Sequence, residues 1–152
     1  MKSWLTILIL SSPVVATAQS DERAVVAAVQ SLFDAMESKD VAAAREVLLP
    51  EGFFVRVEDG TDSVRSFTTE EFLASFAREE QFLERMWEPK VMIHGDIASV
   101  WTPYDFYRGG ELSHCGIDAF QIVRTDARWK IATVTFTVER SGCPESPLGP
   151  PE

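Results

Sequence analysis

The run from His94 to Arg140, HGDIASVWTPYDFYRGGELSHCGIDAFQIVRTDARWKIATVTFTVER, constrains the fold more than any other stretch of the chain. Strand-like segments rich in β-branched and aromatic residues are broken at Arg108-Gly109-Gly110-Glu111 and again at Thr125-Asp126-Ala127-Arg128. A Gly-Gly pair supplies the positive φ that a two-residue hairpin needs. The composition around both turns predicts a three-stranded antiparallel meander.

Taking Gly109 and Gly110 as the first loop, stepping outwards pairs Tyr107 with Leu112, Asp105 with His114, Pro103 with Gly116 and Trp101 with Asp118. Taking Asp126 and Ala127 as the second pairs Arg124 with Trp129, Ile122 with Ile131, Phe120 with Thr133 and Asp118 with Thr135. Cross-strand partners share a face. One face then gathers Trp101, Asp105, Tyr107, His114, Asp118, Phe120, Trp129 and Thr135. The other carries Val100, Tyr104, Phe106, Cys115, Ile117 and Val134. Both are too apolar to meet water, and a one-residue slip in either loop would exchange them.

Upstream, Lys2, the apolar run Trp4 to Leu10 and the triplet Ala16-Thr17-Ala18 read as a signal peptide over residues 1–18. The apolar run is short for a retained spanning helix, so no stable membrane insertion is expected after processing. Residence is expected to be periplasmic or extracellular. The formal charge is -10, and loss of Lys2, the one charged residue of the leader, makes it more negative still. Such a surface repels nucleic acid. Cys115 and Cys143 would enter an oxidising space, where an intramolecular disulfide tethering the tail is expected.

Ser20-Asp21-Glu22 caps a first amphipathic helix whose stripe is Val25, Val26, Val29, Leu32, Phe33 and Met36. A short second helix runs from Val41 to Leu49, and Gly52 to Glu58 reads as a strand. Thr68 with Glu71 forms a capping box, from which a third helix is expected to reach Met86, with Glu80, Glu84 and Arg85 on its wet face. Glu88 to Ile93 is another strand, and residues 141–152 form a proline-rich tail. Three helices in the N-terminal half packed on a mostly antiparallel sheet make an α+β fold in one domain, residues 19–140. The sheet is expected to curve strongly, leaving a space beneath the helices and an outer face for a partner subunit.

The order of elements, the opening segment VVAAVQSLFDAMESKDVAAAREVLLP and the closing hairpin FQIVRTDARWKIATVTFT resemble the nuclear transport factor 2-like superfamily. That superfamily includes ketosteroid isomerase, scytalone dehydratase and the SnoaL-type cyclases. The narrower segment WTPYDFYRGGELSHCGIDAFQIVRTDARWKI resembles a secreted bacterial subgroup without a clear function. The resemblance implies a cone-shaped fold, a homodimer and a pocket between helices and sheet. It transfers no catalytic motif, and fold alone does not settle chemistry.

His114, oriented by Asp105, is a candidate proton shuttle, and Asp118 is a candidate base with a raised pKa. Each has an ordinary alternative, a structural histidine or a carboxylate satisfied by Thr135 or backbone. Trp101, Tyr107, Phe120, Trp129 and Thr135 are the candidate ligand contacts. Tyr104 reads as core or interface, and Arg108 as either solvated or the counter-charge to a ligand carboxylate. The histidine spacing suits no metal site, and no phosphate-binding or dinucleotide motif implies a cofactor. Three roles fit: a secreted module binding a small apolar or amphipathic molecule, a cofactor-independent isomerase, dehydratase or cyclase, and an interaction protein. In the last, Phe53, Phe54, Phe72, Phe76 and Phe82 would fill the pocket.

Overall fold

A computed structural model describes residues 13–151, with side chains from Gln19 onward. Residues 1–12, the greater part of the expected leader, lie outside the described residues. Helix α1 spans Pro13–Ser38 and α2 Val41–Val47. Strand β1 covers Leu48–Glu58, β2 Val64–Thr68, and α3 Thr69–Ala74, extended by a 3-10 turn over Ser75–Ala77. Then follow β3 (Phe82–Met86), β4 (Lys90–His94), β5 (Ile97–Arg108), β6 (Glu111–Thr125) and β7 (Arg128–Val138).

Local signals set several of these boundaries. The Asp40 side chain accepts from the Ala43 amide at 2.9 Å and starts α2. The Thr68–Glu71 capping box starts α3, the side chain of each satisfying the other's backbone amide. Val25, Val29, Leu32, Phe33 and Met36 are buried along one stripe of α1, which lies against β3, β4, β5 and β7. Gly109 and Gly110 turn the β5–β6 hairpin with φ of 59° and 85°. Asp126 and Ala127 turn the next with φ of 49° and 59°.

The expected third helix is cut short. It ends by Ala77, Arg78 is extended, and Phe82-Leu83-Glu84-Arg85-Met86 pairs with β5 instead. The same five residues satisfy a helical spacing at Leu83 and Met86 and a strand alternation at Phe82, Glu84 and Met86, an ambiguity usual for short apolar runs. The open edge of β5 decides it. Strand β2, a five-residue partner of β1, has no counterpart among the expected elements.

The strongly curved cone is also corrected, while the sheet is mostly antiparallel as expected, with β1–β7 its one parallel pairing among the described strands. The strands form one open, mixed sheet in the order β2-β1-β7-β6-β5-β3, with β4 on the remaining length of β5. It neither closes nor curves strongly. Its first and last long strands, β1 and β7, lie side by side and parallel. A parallel pair is joined by a long crossover rather than a turn, so no local sequence signal announces it.

Two bulges decide which side chains meet. Ser113 is extra between the pairs Tyr107–Leu112 and Phe106–His114, and Ala132 is extra between Ile122–Ile131 and Gln121–Thr133. Beyond the first bulge Asp105 lies opposite Cys115, Tyr104 opposite Gly116 and Thr102 opposite Asp118. The expected Asp105–His114 and Trp101–Asp118 pairings are therefore corrected. An extra residue reverses the alternation past it.

The helix-covered face thus carries Tyr104, Phe106, His114, Asp118, Phe120 and Val134. Trp101, Asp105, Tyr107, Cys115 and Thr135 lie on the outer face. Cys115 and Cys143 stand there at disulfide-bonding distance, with Cα atoms 5.8 Å apart.

Candidate functional site

Between α1, α3 and the covered face of the sheet lies a cavity of about 350 Å³. Aromatic rings from several elements wall it. Phe54 stacks on Phe72 at 4.2 Å and on Phe67 at 5.3 Å, Phe72 meets Phe76 edge-on, and Phe120 of the sheet packs on Phe33 of α1. Of the phenylalanines expected to fill the interior, Phe54, Phe72, Phe76 and Phe82 border this space, while Phe53 is exposed.

Two carboxyl groups project into the apolar chamber. Asp118 is 2% exposed, and its Oδ2 is buried with no hydrogen-bond partner among the described residues. Glu84 arrives from β3, where Phe106 is its strand neighbour. Burial raises the Glu84 carboxyl well above its usual range, and the negative charge of Asp118 and a hydrogen bond with it raise it further. Burial likewise raises Asp118 to about 7, against a lowering contribution from that same hydrogen bond. Two carboxyls in one dry site cannot both ionise cheaply. The pair holds a proton near neutral pH, with Glu84 as donor and Asp118 as acceptor.

Tyr104 lies beside them, 1% exposed. Its hydroxyl donates to the Thr137 carbonyl at 2.6 Å, reaching across β6 at Gly116. A Cβ on Gly116 would sit 2.4 Å from that carbonyl oxygen, so only glycine leaves the crossing open. Burial, with the charges of Glu84 and Asp118, raises the phenol far above its ordinary value. Tyr104 stays neutral.

His114 also borders the cavity, without the expected aspartate. Its Nδ1 lies 3.1 Å from the Ser113 hydroxyl, and its ring packs on Phe106 at 4.9 Å and edge-on to Tyr104. Burial lowers the imidazole to about 4, and Arg140, Arg56 and Arg108 push the same way against Glu58. At neutral pH it is an uncharged hydrogen-bonding group.

Asp105 belongs to the outer face. Arg85 grips it through two parallel bonds, Nε to Oδ1 at 3.0 Å and Nη2 to Oδ2 at 2.6 Å, and also bonds the Tyr107 hydroxyl at 3.3 Å. Trp101 is 56% exposed and Thr135 is exposed as well. Trp129 is buried beneath the Arg124 guanidinium, 4.8 Å from its ring centre, and does not border the cavity. Of the candidate residues, His114, Asp118 and Phe120 come together at the cavity, and Asp105, Trp101, Tyr107, Trp129 and Thr135 do not. Glu84 was missed by the helical reading, which placed it among solvated charges. The alternation Phe82-Glu84-Met86 was the signal that could have found it.

Among the described residues no helix is long and apolar enough to cross a membrane, and no cluster of ligating side chains could hold a metal ion. No curated protein matches the chain. A crystal structure described as a "putative dehydratase" of the NTF2-like family from Streptomyces avermitilis is 22% identical, with a TM-score of 0.63 over 80% of this chain and 97% of that one. An NTF2-like protein with a cystatin-like fold from Novosphingobium aromaticivorans is 13% identical, with a TM-score of 0.67 over 86% and 88%. An NTF2-like protein from Cytophaga hutchinsonii is 15% identical, with a TM-score of 0.67 over 79% and 98%. At these identities the likeness is one of fold. The model of a family described as "Putative lumazine-binding" matches residues 20–137. The chain belongs to that family.

Proposed function

We propose that this protein is a secreted module that binds a small, flat, largely apolar molecule between helices and sheet. The unpartnered Asp118 oxygen at the end of an aromatic cavity carries the reading. An unsatisfied buried acceptor costs about 1–3 kcal/mol, and a ligand hydroxyl or ring N–H would repay it. A cavity of about 350 Å³ falls within the range usual for small-molecule sites. The family description names lumazine, a planar bicycle with ring N–H and carbonyl groups, and the free Asp118 oxygen offers an acceptor to a ring N–H of such an edge.

Titration with 2-naphthol, a flat ring bearing one hydroxyl, tests this by native mass spectrometry and quenching of naphthol fluorescence. We expect one molecule per chain, with Val134→Trp, which fills the cavity, abolishing the complex. No saturable complex, or an undiminished one in Val134→Trp, would sink the proposal.

A second reading rests on the Asp118 pKa of about 7. A carboxylate poised near neutrality, beside a protonated carboxyl and a neutral tyrosine, suits a cofactor-independent isomerase, dehydratase or cyclase. Asp118 would take a proton from carbon next to a carbonyl while Glu84 donates to the developing oxyanion. Exchange of solvent deuterium into C1 of 2-tetralone measures that step. Asp118→Asn should slow it at least about 100-fold, and exchange no faster than buffer would retire this reading.

The homodimer also belongs to the proposal. Met92, Ile97 and Trp101 are exposed together on the outer face, a patch suited to a second copy.

A further inference from the structure

We infer that the cavity takes an aromatic carboxylate, or another planar anion of the same shape, with its ring among the phenylalanines and its charge at Arg56 and Arg65. The inference rests on the pocket reading above and names its ligand class.

Arg56 and Arg65 lie directly opposite each other in the antiparallel β1–β2 pair. Like charges in that position destabilise a sheet unless something neutralises them. Both border the aromatic cavity, and both also line an adjoining recess of about 230 Å³ with Glu58 and Ser63. Glu58 falls short as a counter-charge. It bonds Arg56 through Nη2 and Arg140 through Nε, so one carboxylate serves two guanidiniums. The Arg56 Nε remains buried with no partner, and Arg65 has no carboxylate partner among the described residues.

Arg78 and Arg108 also border the cavity, Arg108 loosely held by Glu80 at 3.5 Å. The acid facing this group from α3 is Glu71, whose carboxylate is engaged by the Thr68 amide and hydroxyl. A chain of formal charge -10 has no general surplus of arginine, so this grouping is local. Guanidinium forks match a planar carboxylate with two parallel bonds. Asp118 and Glu84 would repel that carboxylate, which fixes the ligand's direction: neutral polar group inward, anion at the arginines.

The test compares 6-hydroxy-2-naphthoate with 2-naphthol, which share a ring and a hydroxyl and differ by the carboxylate. By fluorescence titration we expect the acid to bind about tenfold more tightly. Arg65→Gln, at an exposed and unpaired position, should erase that preference while leaving 2-naphthol affinity within about twofold. Arg56→Gln should do the same, and matched melting temperatures confirm that each variant folds. Equal affinity in the wild-type protein, a preference that survives both substitutions, or a parallel loss of 2-naphthol would overturn the anion inference and leave the pocket standing. Failure of both ligands to bind would overturn the two together.

Discussion

Asp105 and Asp118 are both buried, 4% and 2% exposed, on neighbouring strands of one sheet, yet they live in opposite chemistries. Asp105, on the outer face, is met by the Arg85 fork and repays its desolvation there. Asp118, on the covered face, meets another carboxyl and keeps one oxygen unpaired. The outer site holds the molecule together, since every strong acceptor in it is used. The inner site holds unspent hydrogen-bonding capacity and a shared proton. Burial alone does not mark a functional acid; burial without a cation does.

The largest effects should come from breaking the outer side. Arg85→Ala leaves Asp105 buried without its cation, and we expect a loss of about 3–5 kcal/mol in urea unfolding. Arg85→Lys should recover only part of this, because an ammonium cannot reproduce the paired bonds. A loss under about 1 kcal/mol, the range of a surface pair, would put both aspartates in one class. The same face carries Cys115, the strand partner of Asp105. Cys143→Ser opens a loop closed over a separation of 28 residues, which chain entropy values at about 3–4 kcal/mol. The measurement is unfolding in oxidised and reduced buffer, where only the wild-type protein should respond to reductant.

How much of this contrast the sequence revealed depends on the range of the signal. The Gly109-Gly110 turn, the Thr68 cap, the α1 stripe and the two cysteines are local or compositional, and all were legible. The cavity residues His114, Asp118 and Phe120 were singled out as well, though beside the wrong neighbours. Ser113 and Ala132 explain that. Each bulge adds one residue where no glycine or proline marks it, and each exchanges the faces beyond. Asp105 was thereby given to His114 when its partner is Arg85, and Arg85 and Glu84 were hidden together by reading β3 as helix. Parity within β3 separates them, one to the outer ion pair and one to the inner proton-sharing pair.

The inner site should answer to pH rather than to truncation. Asp118 is raised in the folded state, so between its ordinary carboxylate value and about 7 the folded protein binds more protons than the unfolded chain. Stability therefore falls as pH rises through that window and stays low above it. Asp118→Asn removes this ionisation and the charge that raises Glu84. At about pH 9 we expect the variant to be more stable than wild type by on the order of 2 kcal/mol. The Glu84 carboxyl signal in difference infrared spectra should titrate at lower pH. A variant less stable than wild type at alkaline pH would mean that Asp118 is satisfied as Asp105 is.

His114 gives the smallest effect and separates the two halves of that argument. Its pKa is lowered to about 4 by burial, so between there and its ordinary value near 6.5 the unfolded chain binds more protons. Stability is then lost as pH falls, the sign opposite to that of Asp118 across nearly the same interval. Because the ring is only partly buried, solvent screening reduces its share to about 1 kcal/mol. The wild-type profile from about pH 4 to 7 should therefore fall less steeply than Glu84 and Asp118 together would make it. In His114→Gln the carboxyl slope stands alone and stability should decline steadily with rising pH. With Glu84→Gln added to Asp118→Asn both raised carboxyls are gone, and the histidine slope should emerge and run the other way. Urea midpoints of the two variants at matched pH decide the matter, and parallel profiles would mean that these two groups do not set the acid response of the covered face.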